Sequence, residues 1–174
     1  MDVNALVEQA KQEYANGRHA AAASLFAQAA QAYSNAQDEL NAAEMKNNQS
    51  VALLQAGKAH EALQATDGTE AVFQKAGDLK RQGIAIANRA AALEGMKKLS
   101  EAVAEYNRAA DIFEQAGEGD MHSIVRKATA QVFLKRGYIS NSQMDIIDSV
   151  RLAEKPTLPQ RLLKFMMRMG LFKQ

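Results

Sequence analysis

A step of 40 residues brings Tyr33, Phe73 and Phe113 into line, and with them Ala36, Ala76 and Ala116, then Asp38, Asp78 and Glu118. Alanine matches carry little weight in this alanine-rich chain. Aromatics, however, are only 6% of the residues, so three in one register rarely arise by chance. Other registers agree: Ala22, Ala62, Ala102 and Ser142; Leu53, Leu93 and Phe133; Ser50, Ala90 and Ala130; Phe26, Thr66, Tyr106 and Ile146. Such a period constrains the fold strongly, because a recurring unit this short cannot bury its apolar face alone and has to stack on its neighbours. Four copies are expected, near 3–38, 39–78, 79–118 and 119–155. Together they make a repeat domain over 1–155, with a separate tail at 156–174.

Within each copy the apolar spacing is helical. Met45, Ala52, Leu53 and Ala56 share one helix face, as do Ile86, Ala90 and Leu93, and then Val125, Val132 and Phe133. Each of these first helices ends near a glycine (Gly17, Gly57, Gly95, Gly137), the residue that tolerates the left-handed conformation closing a helix. A second helix follows. In "SEAVAEYNRAADIFEQAG", Ser100 is the expected cap, Ala102, Val103, Tyr106, Ala109, Ala110 and Phe113 the buried stripe, and Gly117 the stop. Strand alternation is absent, and the two prolines, Pro156 and Pro159, lie beyond the last copy. The expected class is all-α.

The stretch "EQAGEGD" at 114–120 looks at first like a phosphate loop. In register, though, Gly117 takes the place of Gly77 and Gln37, between one helical pair and the next, and an acid follows each time (Asp38, Asp78, and Glu118 or Asp120). A carboxylate there complements a helix N-terminus and competes with any anion for the same N–H groups. It reads as a turn.

"GKAHEAL" at 57–63 and "LSEAVAEYNRAADIF" at 99–113 resemble the tetratricopeptide repeat. Its second helix carries a small residue, an aromatic four on and a small residue three further, matched by Ala22, Phe26, Ala29 and by Ala102, Tyr106, Ala109. Copy two keeps Ala62 but has Thr66 and Thr69, and copy four has Ser142, Ile146 and Ser149, so both are degenerate. The 40-residue length resembles the longer variety found in bacterial regulators and in vesicle-fusion attachment proteins. The likeness covers roughly residues 3–153. It implies a right-handed α-solenoid of four helix-turn-helix units with the first helices lining an inner face, and it implies a protein-interaction scaffold or adaptor.

Chemistry of other kinds finds no footing. With no cysteine there is no thiolate metal site, cysteine nucleophile or disulfide. His19, His60 and His122 have no ligand-like spacing, carboxylates occur singly along helices, and no nucleophile elbow, Walker loop or dinucleotide fingerprint is present. Neither an enzyme nor a cofactor is expected. The N-terminal stretch lacks the apolar run of a secretory signal and no stretch is long and apolar enough to span a membrane, so a cytoplasmic location is the expectation.

The net charge of +1 hides a split. Residues 1–154 hold all 20 acids against 16 Lys and Arg, while the tail carries Lys155, Arg161, Lys164, Arg168 and Lys173 and no acid. An acidic body argues against nucleic acid as partner, since that binding rests on clustered basic charge.

By the resemblance, the groove for a protein or peptide partner draws Val7, Lys11 and Tyr14 from copy one and Asn47, Asn48, Val51 and Leu54 from copy two. Asn88 and Ala91 come from copy three, and Lys127, Gln131 and Leu134 from copy four. The asparagines either hydrogen-bond a peptide backbone or bridge neighbouring helices. The tetratricopeptide subset that grips a terminal carboxylate uses five Lys, Asn and Arg positions. Here they read Val7, Lys11, Asn48, Ile84 and Asn88, and only Asn48 agrees, so that clamp is not expected.

The tail, "LPQRLLKFMMRMGLFKQ", is an expected C-terminal amphipathic helix with Arg161, Lys164 and Arg168 on one face and an apolar arc around the rest. Three uses stay open. It caps copy four through Leu162, Met166 and Met169, it lies on an anionic membrane surface as a peripheral contact, or it contacts a partner or a second copy of the chain in a homo-oligomer. Its contact residues would be Arg161, Lys164, Phe165, Met167, Arg168, Leu171 and Phe172.

Overall fold

The structure, a computed structural model, describes residues 2–135. These form α1 (Val3–Ala15), α2 (His19–Asn35), α3 (Glu39–Gln55), α4 (Ala59–Ala65), α5 (Thr69–Lys75), α6 (Leu79–Gly95), α7 (Leu99–Gln115) and α8 (Gly119–Lys135). Among the described residues there is no strand, and the chain there is all-α.

The spacing of the elements is stricter than the sequence alone suggests. Helices begin at 19, 39, 59, 79, 99 and 119. The backbone turns left-handed at Gly17, Gln37, Gly57, Gly77, Lys97 and Gly117, with φ between 61° and 77°. Each of these residues closes a helix by the same pair of bonds. At the end of α3, Gly57 N–H donates to Leu54 O at 3.0 Å and Lys58 N–H to Leu53 O at 2.9 Å. This is the Schellman arrangement, which satisfies carbonyls a helix end leaves open. At the ends of α2, α5 and α7 the accepting carbonyls belong to Tyr33, Phe73 and Phe113, and the donors are the N–H groups of Asp38, Asp78 and Glu118. Two of the sequence registers therefore mark the two ends of one hydrogen bond.

Three expectations are corrected. Gly95 is not the left-handed stop of its helix; Lys97 is, at φ 62°, while Gly95 is the last helical residue. Gly95 answers to sterics instead, because a Cβ there would stand 2.8 Å from Leu54 Cδ1 and 2.9 Å from Ala59 Cβ. Ser100 does not cap α7, which starts at Leu99 after Lys98 and has no side-chain cap. The second helix of copy two is not continuous: it breaks into α4 and α5 at Gly68, φ 77°. Gly137 lies outside the described residues.

Acids do cap the first helices. Asp38 and Asp78 accept from the backbone N–H of Asn41 and Arg81, at 3.1 and 2.9 Å. That backbone bond, with the Arg81 side chain beside it, holds the Asp78 carboxyl below its ordinary 3.8.

Apolar residues collect in three clusters. The first joins α1 to α4 with Ala92 of α6, the second joins α6, α7 and α8, and the third sets Phe73 against Ala43 and Ala85. Ala22, Ala62 and Ala102 are all fully buried, so helices approach closely at each of these points. Phe73 and Phe113 are buried as well, and each meets a small residue at one register, Ala43 and Gly83. Burying such a ring contributes about 1.5–3 kcal/mol. Tyr33 is only partly buried against the first cluster.

Helix α3 packs against α2, α4, α5 and α6. Its neighbour α6 runs in the same direction, since Glu44 pairs with Arg81 near one end and Leu54 meets Gly95 near the other. Arg81 also lies 5.2 Å over the Phe73 ring, joining α3, α5 and α6 at one place.

Candidate functional site

Parallel, touching helices of one register present equivalent residues to one side. On α3 and α6 the half-buried positions form such lines: Glu44, Asn48 and Val51 on the first, Ile84, Asn88 and Ala91 on the second. The equivalent residues of α1, Asn4, Glu8 and Lys11, are exposed, as are Ile124 and Gln131 of α8, with Ala128 half-buried between them.

The expected groove residues divide on this geometry. Asn48, Val51, Asn88 and Ala91 fall on the line of α3 and α6, and Lys11 and Gln131 are exposed at equivalent register on α1 and α8. Lys127 is exposed as well, and Leu134 of α8 is 72% exposed. Val7 does not join them, being buried in the first cluster, and Tyr14 and Leu54 are partly buried against the same cluster. Asn47 is buried at 4% exposure, and its Oδ1 has no hydrogen-bond partner among the described residues. The buried Val7 and the half-buried Ile84 also deprive a five-point carboxylate clamp of two of its points. The tail residues Arg161, Lys164, Phe165, Met167, Arg168, Leu171 and Phe172 lie outside the described residues.

Glu44, Ile124 and Ala128 were missed by sequence reasoning although they stand at the same register, and Ile84 was named only as a clamp position. The signal was available, since each sits one turn before or at the register of a residue that was named.

Among the described residues Asn47, Asn48 and Asn88 make no side-chain bond to a neighbouring helix, whereas Asn107 of α7 does, accepting from Arg126 of α8 at 3.4 Å. Other cross-helix bonds include those of Ser50, whose hydroxyl donates to Ala62 O at 2.8 Å, of Tyr106, whose hydroxyl donates to Glu94 at 3.0 Å, of Arg81, which donates to Glu44 at 3.1 Å, and of Arg108, which donates to Glu70 at 2.6 Å. Burial, then the neighbouring Glu94 carboxylate, raises the Tyr106 phenol above its ordinary 10.0.

Charges at this register are matched locally. Lys11 Nζ lies 2.7 Å from Glu8, which raises its pKa, and Glu44 lies 3.1 Å from Arg81. Exposed pairs of this kind add little stability.

No group of three or more metal-ligating side chains comes together among the described residues. His19 packs its ring against Tyr14, centroids 5.0 Å apart, and its Nδ1 is buried without a partner among the described residues. His60 is exposed and His122 half-buried, on different helices. No helix among the described residues is long and apolar enough to cross a membrane. Comparison with family models, with curated proteins and with solved structures gives no match.

Proposed function

We propose that the chain is a tetratricopeptide-like array, four helix hairpins wound as a right-handed superhelix, and that it works in the cytoplasm as a non-catalytic scaffold or adaptor. A segment of a partner protein lies along the first helices, across α1, α3, α6 and α8. The observation that carries this reading is the line of half-buried side chains on α3 and α6. At equivalent positions of two touching parallel helices, Asn48 with Asn88 and Val51 with Ala91 leave amide and aliphatic groups half-buried. A mixed polar and apolar strip of this sort suits a peptide, whose backbone needs hydrogen bonds while its side chains need apolar contact.

The test is cross-linking capture from cells with the wild-type chain and with an Asn48→Ala, Asn88→Ala variant whose helicity is checked by circular dichroism. Partners cross-linked at α3 and α6 should be lost with the variant. A folded variant that captures the same set, at the same sites, removes the groove reading.

A further inference from the structure

Copy two differs from its neighbours in what lies beneath its second helix. On α3, Ala43 meets Phe73 of α5, and the Ser50 hydroxyl donates to Ala62 O of α4. Asn47 stands on the same helix face between these two contacts, four residues after Ala43 and three before Ser50. It therefore faces the stretch from Thr66 to Thr69, where α4 gives way to α5. Asn47, Ser50, Thr66 and Thr69 are all buried, at 4%, 1%, 5% and 1% exposure. Forty residues on, the same four places hold Ala87, Ala90, Tyr106 and Ala109, and the helix that packs there is unbroken.

The polar set closes imperfectly. Thr66 and Thr69 direct their hydroxyl protons back to Leu63 O and Thr66 O, at 2.7 and 2.9 Å, and Asn47 Oδ1 is left without a donor among the described residues. The backbone N–H groups of Thr66, Asp67 and Thr69 reach back three residues, to Leu63, Gln64 and Thr66, a bond of poorer geometry than the four-residue one of an α-helix. Helices α4 and α5 have 7 residues each, too few to hold without packing. A buried acceptor with no partner favours any state in which water reaches it. The flanks, by contrast, are seated. Ala62 and Phe73 are fully buried, and Leu63 packs against both the first and the second apolar cluster.

We propose that residues 64–70 form a joint at which the array opens locally, hydrating Asn47, Thr66 and Thr69 while Ala62 and Phe73 stay seated and both apolar clusters remain folded. The second helices of copies one and three, with Phe26 and Tyr106 buried at the equivalent place, stay closed. This inference does not depend on the groove reading.

Hydrogen exchange of the full-length chain, followed by mass spectrometry under native conditions, is the test. Amides at 64–70 should be protected about tenfold less than those at 24–30 and 104–110. Their exchange should change little in low denaturant, because a local opening exposes little surface. Asn47→Leu keeps the volume and removes the orphaned oxygen, so it should raise protection at 64–70 by about tenfold. Giving copy two the residues of copy three, by Asn47→Ala, Thr66→Tyr, Gly68→Arg and Thr69→Ala, should bring the segment to the protection of 104–110. Equal protection of the three segments in the wild type overturns the inference with no variant needed. An Asn47→Leu chain with unchanged or lower protection at 64–70 overturns it too, since the carboxamide would then be satisfied in the closed state. A folded four-residue graft that leaves 64–70 as open as before does the same.

Discussion

Helix α7 and the pair α4 and α5 occupy the same span of their copies, 99–115 and 59–75, begin after a lysine and end at an alanine, yet one is continuous and the other is broken. The difference lies in a few residues. In α7, Tyr106 is buried, its hydroxyl reaches Glu94, and Ala109 behind it lets the helix pass closely. The equivalents are Thr66 and Thr69. Their hydroxyls donate to Leu63 O and Thr66 O, at 2.7 and 2.9 Å, and so compete for carbonyls near the break. Gly68, where α7 has Arg108, then takes the left-handed conformation at no steric cost. A helix keeps its ends while its middle gives way, because the ends are fixed by connectors and the middle by one aromatic.

Moving the break into α7 should have the largest effect. The triple change Tyr106→Thr, Arg108→Gly, Ala109→Thr removes a buried ring and supplies the glycine, and a loss of about 3–5 kcal/mol is expected in denaturant unfolding. An unchanged midpoint would mean that the break has some other cause.

Gly83→Ala comes next. The added Cβ would stand 2.7 Å from the Phe113 ring, whereas copy two already carries Ala43 against Phe73. A loss of about 1–3 kcal/mol is expected, and a neutral result would show that Phe113 can shift to the arrangement of its counterpart.

Tyr106→Phe sharpens the comparison by removing only the hydroxyl, at about 1 kcal/mol. It also carries a pH signature. Because the folded-state pKa is raised, the native state holds its proton after the unfolded chain has lost its own, so this contribution is present at low pH and declines as the pH rises above the ordinary 10.0. Thermal melts of the wild type from pH 9 upwards should show that decline against the phenylalanine variant.

The smallest effect is expected from Lys97→Gly, which relieves a left-handed lysine where the copies have Gly17 and Gly57. A gain of about 0.5–1 kcal/mol in the melting experiment is expected, and a loss would assign Lys97 a contact that outweighs its backbone strain.

Much of this architecture could be read from the chain. The aromatic register gave the period, and the stripe of Ala102, Tyr106, Ala109 and Phe113 gave a helix and its buried face. Lys97 was not legible as a helix stop because residue type favoured the nearby Gly95, and only the recurrence of left-handed residues at half the repeat reveals the true position. The break at Gly68 was hidden for a related reason: one glycine in a helical pattern is compatible with a tolerated helix or with a stop, and two threonine hydroxyls decide between them. In the candidate site the amides at 48 and 88 were visible by register. Asn47 and Val7 were misplaced on the surface because neighbouring positions on α3 and α1 turn into the core, and a polar residue such as Asn47 gives no hint of burial.

The connectors have a consequence for how such a chain can grow or shrink. The residue whose N–H ties off one helix is also the one from which the next sets out, as with Asp38, Lys58 and Asp78. At these three joints no slack residue lies between stop and start, so one extra amino acid there would separate the two and swing the following helix away from its seat. A whole block of 40, pasted in at Asp38 or Asp78, would meet the same chemistry on both sides. Length in this molecule is free to change in whole modules and resists change in single steps.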